Sequence, residues 1–540
     1  MITEKIEKNL DLDYIFDRIT VYTPYGEARK KEMKPFRIGE ECLLEEEFNR
    51  IEKVIDLLEK HRYTFVEIRN QFKNMKDLRG SFKRIEEDGV LSVVELFEIK
   101  VFLGILEKLH DLLEKLPWNM PKELEVQPLY HLQQLLDPQQ SGVNTFYIYD
   151  EYSEALRDIR EKIRGLENTI NQAKMQARDK VQSELGFKIR PNGEITINKG
   201  NREMVETAAA CEGLVYSAET YMNITYRVKM DERFDRLFQQ IEDLKLEEEE
   251  EEFRIRERLT KEMKGDLSRI YDNIYGIGAL DLLIAKAYFA VGFHGVKPAL
   301  SGDNILRIEE GRHIKVEDTL RRQGKAFTPI TVDLKKGVTC ITGANMGGKT
   351  ISLKLIGQLS AMAQFGIFVP AKGMTFSLKE YIFLSLGDLQ STDMGLSTFG
   401  AEIVEIKKIL NRAKEKGLIL IDELARGTNP SEGYALSKAI IEYLQDKDAI
   451  TVITTHIDGL AEGPVCHLQV RGLRDVNFEQ LKEQWAQQEA GGIEMVHQHM
   501  DYRLEVVHHR SKVPRDAINI ARLMGLDEEI LEKAEQYLDR

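Results

Sequence analysis

The stretch VTCITGANMGGKT sets Gly343, Gly347, Gly348, Lys349 and Thr350 in the pattern G-x-x-x-x-G-K-T, the P-loop or Walker A spacing. Ala344, Asn345 and Met346 fill the gap between the first two glycines. Such a loop lets successive backbone N–H groups curl around phosphate oxygens, and a helix starting behind it adds a favourable dipole. Lys349 would reach the β- and γ-phosphates of a nucleoside triphosphate. The Thr350 hydroxyl would ligate Mg2+.

Three further groups fit the same chemistry. GLILIDE ends an apolar run in Asp422 and Glu423. Asp422 is suited to holding magnesium through water, and Glu423 to orienting or deprotonating an attacking water. Two acids at a strand end are also common on surfaces, and it is the glycine loop that gives this pair its meaning. His456, in ITTH, follows the next apolar run. A histidine there can hydrogen-bond the γ-phosphate or the water, or serve as a capped structural residue. Ser397 and Thr398, in LSTF, stand just before a helix. They fit an N-cap, and equally a hydroxyl and helix N-terminus touching the γ-phosphate bound by a neighbouring subunit.

These residues need a sheet to position them. Val338 to Thr342 reads as a short apolar strand, and a helix is predicted from about Lys349 to Gln364. YIFLSL from Tyr381 is the next strand. A helix carrying Ile403, Ile406, Ile409 and Leu410 is expected to end at Gly417. LILI at 418–421, a helix from about Glu432 and the strand ITVIT from Ile450 complete the alternation. Strands alternating with helices imply a mostly parallel sheet covered on both faces. Strand C-termini line the ligand crevice of such sheets, and Asp422, Glu423 and His456 fall there.

The first three hundred residues read differently, as mostly helix. Leu156, Ile159, Ile163, Leu166, Ile170, Ala173 and Ala177 recur at alternating spacings of three and four, a narrow seam on one long helix. A second long helix begins near Asp231 with Phe234, Leu237, Phe238, Ile241 and Leu244, and runs through six glutamates, Glu247 to Glu252. That run reads as a solvated face. Between them, about 186–230, IRPNGEITINKGN alternates and turns like a small hairpin. The fold class is therefore α plus α/β. Residues 1–150 form a helical core, 151–300 a lever arm with a small tip, 301–510 the nucleotide domain, and 511–540 a pair of C-terminal helices.

Composition agrees. At about 150 residues per domain, 540 residues predict three or four units. The 76 basic and 91 acidic residues leave a net charge of −15, which excludes coating nucleic acid or anionic membrane by bulk attraction. Charged residues at 31% and apolar ones at 42% fit packed, soluble protein rather than disorder. Cys42, Cys211, Cys340 and Cys466 form no CxxC pair, which argues against a disulfide framework or zinc ribbon. The start, MITEKIEKNLDLDYIF, is too acidic for a signal peptide. The apolar stretch from Gly278 to Phe293 is interrupted by Asp281 and Lys286 and reads as too short and charged to span a bilayer. The expected location is cytoplasmic, away from membrane.

Taken in order, TGANMGGKT at 342–350, GDLQSTDMGLSTF at 387–399, LILIDELARGTNPSEG at 418–433 and TTH at 454–456 resemble the MutS family of ABC-type ATPases. The GDLQS…LSTF phrase with NPSEG is similar to the branch that lacks a mismatch-reading domain and is linked to recombination control and stalled-ribosome rescue. LDLDYIFDRITVYTPYGEARKKEMKP at 10–35, MKDLRGSFKRIEEDGVLSVVELFEI at 75–99, GRH at 311–313 and KVPRDAINIARLMGLDEEILEKAEQYL at 512–538 extend the resemblance over most of the chain. Ala344 and Ile314 stand where the family usually carries Pro. No mismatch-reading or nuclease domain is recognised.

The resemblance implies an ATP- and Mg2+-dependent ATPase acting as a homodimer. Gly343 to Thr350 would bind triphosphate, Thr350 and Asp422 the metal, and Glu423 the water, while His456 would sense the γ-phosphate. Ser397 and Thr398 would act across the dimer, with Ala425 to Thr428 at its interface. ATP would close the two nucleotide heads, and the long helices would carry that change to arm tips that bind mismatched or branched DNA. The tip carries six bases (Lys188, Arg190, Lys199, Arg202, Arg227, Lys229) against five acids (Glu194, Glu203, Glu206, Glu212, Glu219). Phosphate gripping without sequence readout relies on Lys and Arg. A near-neutral tip beside six glutamates therefore keeps a second target open. That target is a protein client remodelled or reactivated by ATP, as truncated relatives do for B12-dependent aminomutases. Ribosome rescue would need a basic face that is not seen. His467, His497, His499, His508 and His509 gather late in the chain without a carboxylate or thiol frame for metal.

Overall fold

The structure is a computed structural model. It describes residues 2–139, 145–343, 348–386, 398–425, 428–457, 459–472, 501–507, 518, 521–522 and 526–538. The chain divides into two compact units. The first comprises Met1–Lys73, Leu116–Asn119 and Gly276–Arg540, and the second Asn74–Lys115 and Met120–Tyr275. In chain order the strands are β1 (Glu194–Asn198), β2 (Leu214–Glu219), β3 (Asn223–Val228), β4 (Ala299–Leu300), β5 (Ile305–Gly311), β6 (Ile330–Lys335), β7 (Gly337–Thr342), β8 (Gly373–Phe376), β9 (Ile382–Leu386), β10 (Leu418–Asp422), β11 (Ile450–Thr454), β12 (Cys466–Gly472) and β13 (Asp501–Val506).

The second unit is built around two long antiparallel helices, Glu154–Leu185 and Glu232–Lys264. The apolar seam meets its partner where Ile163 and Ile170 pack against Phe234 and Ile241. Ser153 and Asp231 cap the two helices by accepting backbone N–H groups from Leu156 and Arg233. The glutamate run is more than a solvated face. Arg160 reaches across to Glu248 and Glu252 at 2.6 Å each and to Asp150 at 2.6 Å, while Ser153 donates to Glu251 at 2.7 Å. Acids that looked like surplus charge thus staple one helix to the other.

At the far end of these helices, β1, β3 and β2 form an antiparallel sheet over Val181, Leu185 and Ala208. The hairpin expected within IRPNGEITINKGN is not formed. The Asn201 side chain accepts the Met204 N–H and starts a helix, Arg202–Ala210, so the chain leaves the sheet instead of turning back. The partner of β1 is β3, with Ile195 opposite Tyr226.

In the first unit, six strands lie in the order β13-β12-β7-β11-β10-β9. The five from β12 to β9 are parallel and β13 is antiparallel. Val338, Cys340, Ile419, Ile421 and Ile453 face a core closed by Ile406, Ile409, Ile441 and Leu444. The helix Lys349–Gln364 begins and ends where the sequence placed it, and it is buried along almost its whole length. The helix expected to reach Gly417 stops at Leu410, and turns at residues 411–416 deliver the chain to β10. Gly417 lies against the Tyr381 ring, where a Cβ would meet Cζ at 2.2 Å. A second sheet, β4-β8-β5-β6, was not anticipated, because β8 pairs with β4 and β5 from far along the chain and a helix, Ile314–Arg322, separates β5 from β6.

Among the described residues one helix, Leu267–Gly292, is long and apolar enough to cross a bilayer by length and composition, and 67% of its most apolar window is buried in the protein. The two charges that interrupt its apolar stretch are engaged internally. Lys286 bonds Glu47 at 2.6 Å, and Asp281 accepts the backbone N–H groups of Tyr22 and Thr23.

Candidate functional site

The site forms at the C-terminal ends of β7, β10 and β11. Parallel register sets Asp422 beside Thr454 and Thr454 beside Ile341, so the three strand ends are level. Gly343 leaves β7 with φ +136°, and a Cβ there would come within 3.0 Å of Val470. Gly348 precedes the long helix with φ +75°, and its Cβ would meet the Tyr502 ring at 3.0 Å. Both turns thus need glycine. Ala344, Asn345, Met346 and Gly347 lie outside the described residues.

Lys349 is buried, and its Nζ donates to the Gly343 carbonyl at 2.6 Å, bridging the two ends of the loop. One residue on, the Thr350 hydroxyl donates to Asp422 Oδ2 at 2.8 Å. The other Asp422 oxygen accepts from the Thr454 hydroxyl at 2.5 Å. A buried carboxylate and a hydroxyl in contact are hard oxygen donors, the set that a magnesium ion takes.

Glu423 leaves β10 with φ +57°, and Ala425 follows with φ +58°. Left-handed backbone at non-glycine residues costs roughly 1–3 kcal/mol each and gathers at functional sites. The Glu423 N–H is held by the carbonyl and hydroxyl of Thr454, at 3.1 and 3.2 Å. The Ala425 N–H is held by Glu402 Oε1 at 2.8 Å. This turn buries the Glu423 side chain to 9% exposure and sets its Oε2 3.3 Å from Nδ1 of His456, which is 53% exposed. A buried carboxylate beside an open imidazole can pass a proton between interior and solvent.

Five of the expected residues, Lys349, Thr350, Asp422, Glu423 and His456, are therefore gathered at one edge. Ser397 lies outside the described residues. Thr398 opens the helix Thr398–Leu410, and its side chain is not described. Of the late histidines, His467 accepts or donates across 2.8 Å to the Thr342 hydroxyl, and burial pushes its pKa down. His497, His499, His508 and His509 lie outside the described residues. Sequence reasoning gave no role to Thr454 or Glu402, the two side chains that hold the strained turn. Thr454 was visible inside TTH, whereas Glu402 carried no local signal. The NPSEG phrase has a plain backbone role: Asn429 caps the helix Pro430–Gln445 and Pro430 occupies its first position.

The family model described as MutS domain V matches residues 339–540. The chain is similar to the Endonuclease MutS2 of Caldanaerobacter subterraneus subsp. tengcongensis, at 27% identity over 99% of this chain and 64% of that protein. It is similar to the DNA mismatch repair protein MutS of Aquifex pyrophilus, at 27% identity over 99% of this chain and 60% of that protein. With the Endonuclease MutS2 of Clostridium kluyveri it shares 35% identity over 58% of this chain and 39% of that protein. The chain thus spans less than two thirds of the length of these relatives.

Proposed function

Since the chain belongs to the MutS family, we propose that it is a magnesium-dependent ATPase working as a homodimer on mismatched or branched DNA. The observation that carries the reading is the Thr350–Asp422 contact at 2.8 Å, which joins the glycine loop to a strand end that continues into Glu423. In this reading the nucleotide domain has the ABC-type arrangement. The backbone between Gly343 and Gly348 cradles the phosphates, and Lys349 exchanges the Gly343 carbonyl for phosphate oxygens. Thr350 and Asp422 hold magnesium, whose bound charge compensates the triphosphate. Glu423 orients the attacking water and takes its proton, while His456 hydrogen-bonds the γ-phosphate or relays the proton outward. Ser397 and Thr398 of one copy complete the nucleotide site of the other.

The names of the relatives support the DNA target. The near-neutral tip favours a second reading, a protein client remodelled by ATP. The two separate in a gel-shift series on intact, mismatched and branched duplexes with a non-hydrolysable ATP analogue. A DNA clamp gives binding that weakens steeply with salt. No binding at low salt removes the DNA target and leaves the client.

A further inference from the structure

Away from the nucleotide edge, the first unit contains a cavity of about 200 Å³. Thr20 and Tyr22 line it from the segment that joins the helices Leu12–Arg18 and Pro24–Lys31. Arg69 comes from the helix Arg62–Lys73, and Tyr288 and Phe289 from Leu267–Gly292. Arg69 lies against two aromatic rings: its Cζ is 4.7 Å from the Tyr22 ring centroid and 4.1 Å from that of Tyr288. Cation–π contact with two rings restrains the guanidinium, while its N–H groups can still donate. Of its five N–H donors, one goes to the Tyr22 hydroxyl. Among the described residues no carboxylate lies within ion-pair distance of Arg69.

The surrounding charges sharpen the picture. Lys73 adds a second cation, its Nζ 5.1 Å from the Tyr22 ring centroid. Arg18, also in the wall, is paired with Asp318. The one carboxylate in the wall, Asp281, feels the Arg69 charge but spends its oxygens on hydrogen bonds from the Tyr22–Thr23 segment. Its Oδ2 accepts from the N–H groups of Tyr22 and Thr23 at 2.9 and 2.7 Å and from the Thr23 hydroxyl at 2.8 Å, while its Oδ1 accepts the Tyr22 N–H at 3.2 Å.

We propose that this cavity binds a small tetrahedral oxyanion, free phosphate or the phosphate of a small ester, clamped by the Arg69 guanidinium. A pre-oriented guanidinium offers paired donors that match oxyanion geometry. The aromatic walls lower the local dielectric and strengthen that contact. The volume lies below the roughly 300–1,000 Å³ of sites for larger ligands, which selects a small group. Bound anion would tie three separate segments of the first unit together and so raise its melting temperature.

The test uses the full chain carrying Lys349→Ala, which disables the nucleotide loop. Phosphate and methyl phosphate are compared with chloride at matched ionic strength, by calorimetric titration and thermal melting. The expected result is one phosphate bound per chain and a raised melting temperature. Methyl phosphate binding equally assigns the site to esters, and its exclusion assigns it to the free ion. Adding Arg69→Met is expected to abolish both effects, and Arg69→Lys to weaken binding at least about tenfold, because the fork is lost. Should Arg69→Met fail to fold, Tyr288→Leu keeps the charge, removes one of the two rings and is expected to weaken binding about tenfold. Phosphate binding that is absent in the Lys349→Ala chain, or unchanged by these substitutions, overturns the proposal.

Discussion

The Thr350 hydroxyl donates to Asp422 Oδ2 at 2.8 Å, joining the first turn of the glycine-loop helix to the end of β10. Thr454 holds the opposite oxygen of the same carboxylate. Asp422→Asn keeps the shape and removes the charge. Magnesium affinity, followed as the metal concentration that half-saturates nucleotide binding, is expected to fall about 10- to 100-fold. Unchanged metal dependence would remove Asp422 from the metal site.

Glu423 and His456 have separable roles. His456→Ala is expected to slow turnover less than Glu423→Gln does, because the carboxylate and not the imidazole is held inside the site. Steady-state ATPase rates of the two variants check the order, and a reversed order would make His456 the base.

The helix Lys349–Gln364 leaves no room at Gly357. A Cβ there would lie 2.6 Å from Leu10 Cδ2 and 2.7 Å from Leu420 Cδ1. Gly357→Ala is expected to cost about 1–3 kcal/mol, read as a lower urea midpoint with an unchanged slope. An unaltered midpoint would mean that the turn at Leu10 does not pack on this helix.

His313 is fully buried, its ring nitrogens have no hydrogen-bond partner among the described residues, and burial pushes its pKa down to about 4, against the pull of Asp11 at 3.7 Å. The unfolded chain takes up that proton near pH 6.5. The folded state therefore binds fewer protons between these values. The neutral imidazole's contribution is whole above pH 6.5 and is lost as pH falls through 4, on the order of 3 kcal/mol. Urea midpoints measured from pH 7 to 4 are expected to fall more steeply in the wild type than in His313→Gln. Parallel curves would contradict the burial account.

The motif chemistry was legible because it is local. A glycine loop between strand and helix, and acids at a strand end, announce themselves within a dozen residues. Long-range pairing was not legible. The run at Glu247–Glu252 looked solvated because Arg160, which pairs Glu248 and Glu252, lies some ninety residues earlier. The β1 strand looked like half of a hairpin because its own turn residues resemble one, yet Asn201 diverts the chain into a helix. Glu402 went unnoticed because its task, holding the Ala425 N–H, depends on a backbone turn that only the folded chain has. Left-handed backbone at Glu423 and Ala425 is likewise invisible in residue types that usually avoid it.

The most direct test of the whole account follows Glu423→Gln protein with ATP and magnesium in one sedimentation experiment that reads nucleotide and mass together. Blocked proton removal is expected to slow hydrolysis about 10²- to 10⁴-fold, so triphosphate persists and two chains travel as one particle with nucleotide aboard. Sedimentation as a single chain at every concentration, or without retained nucleotide, would contradict it.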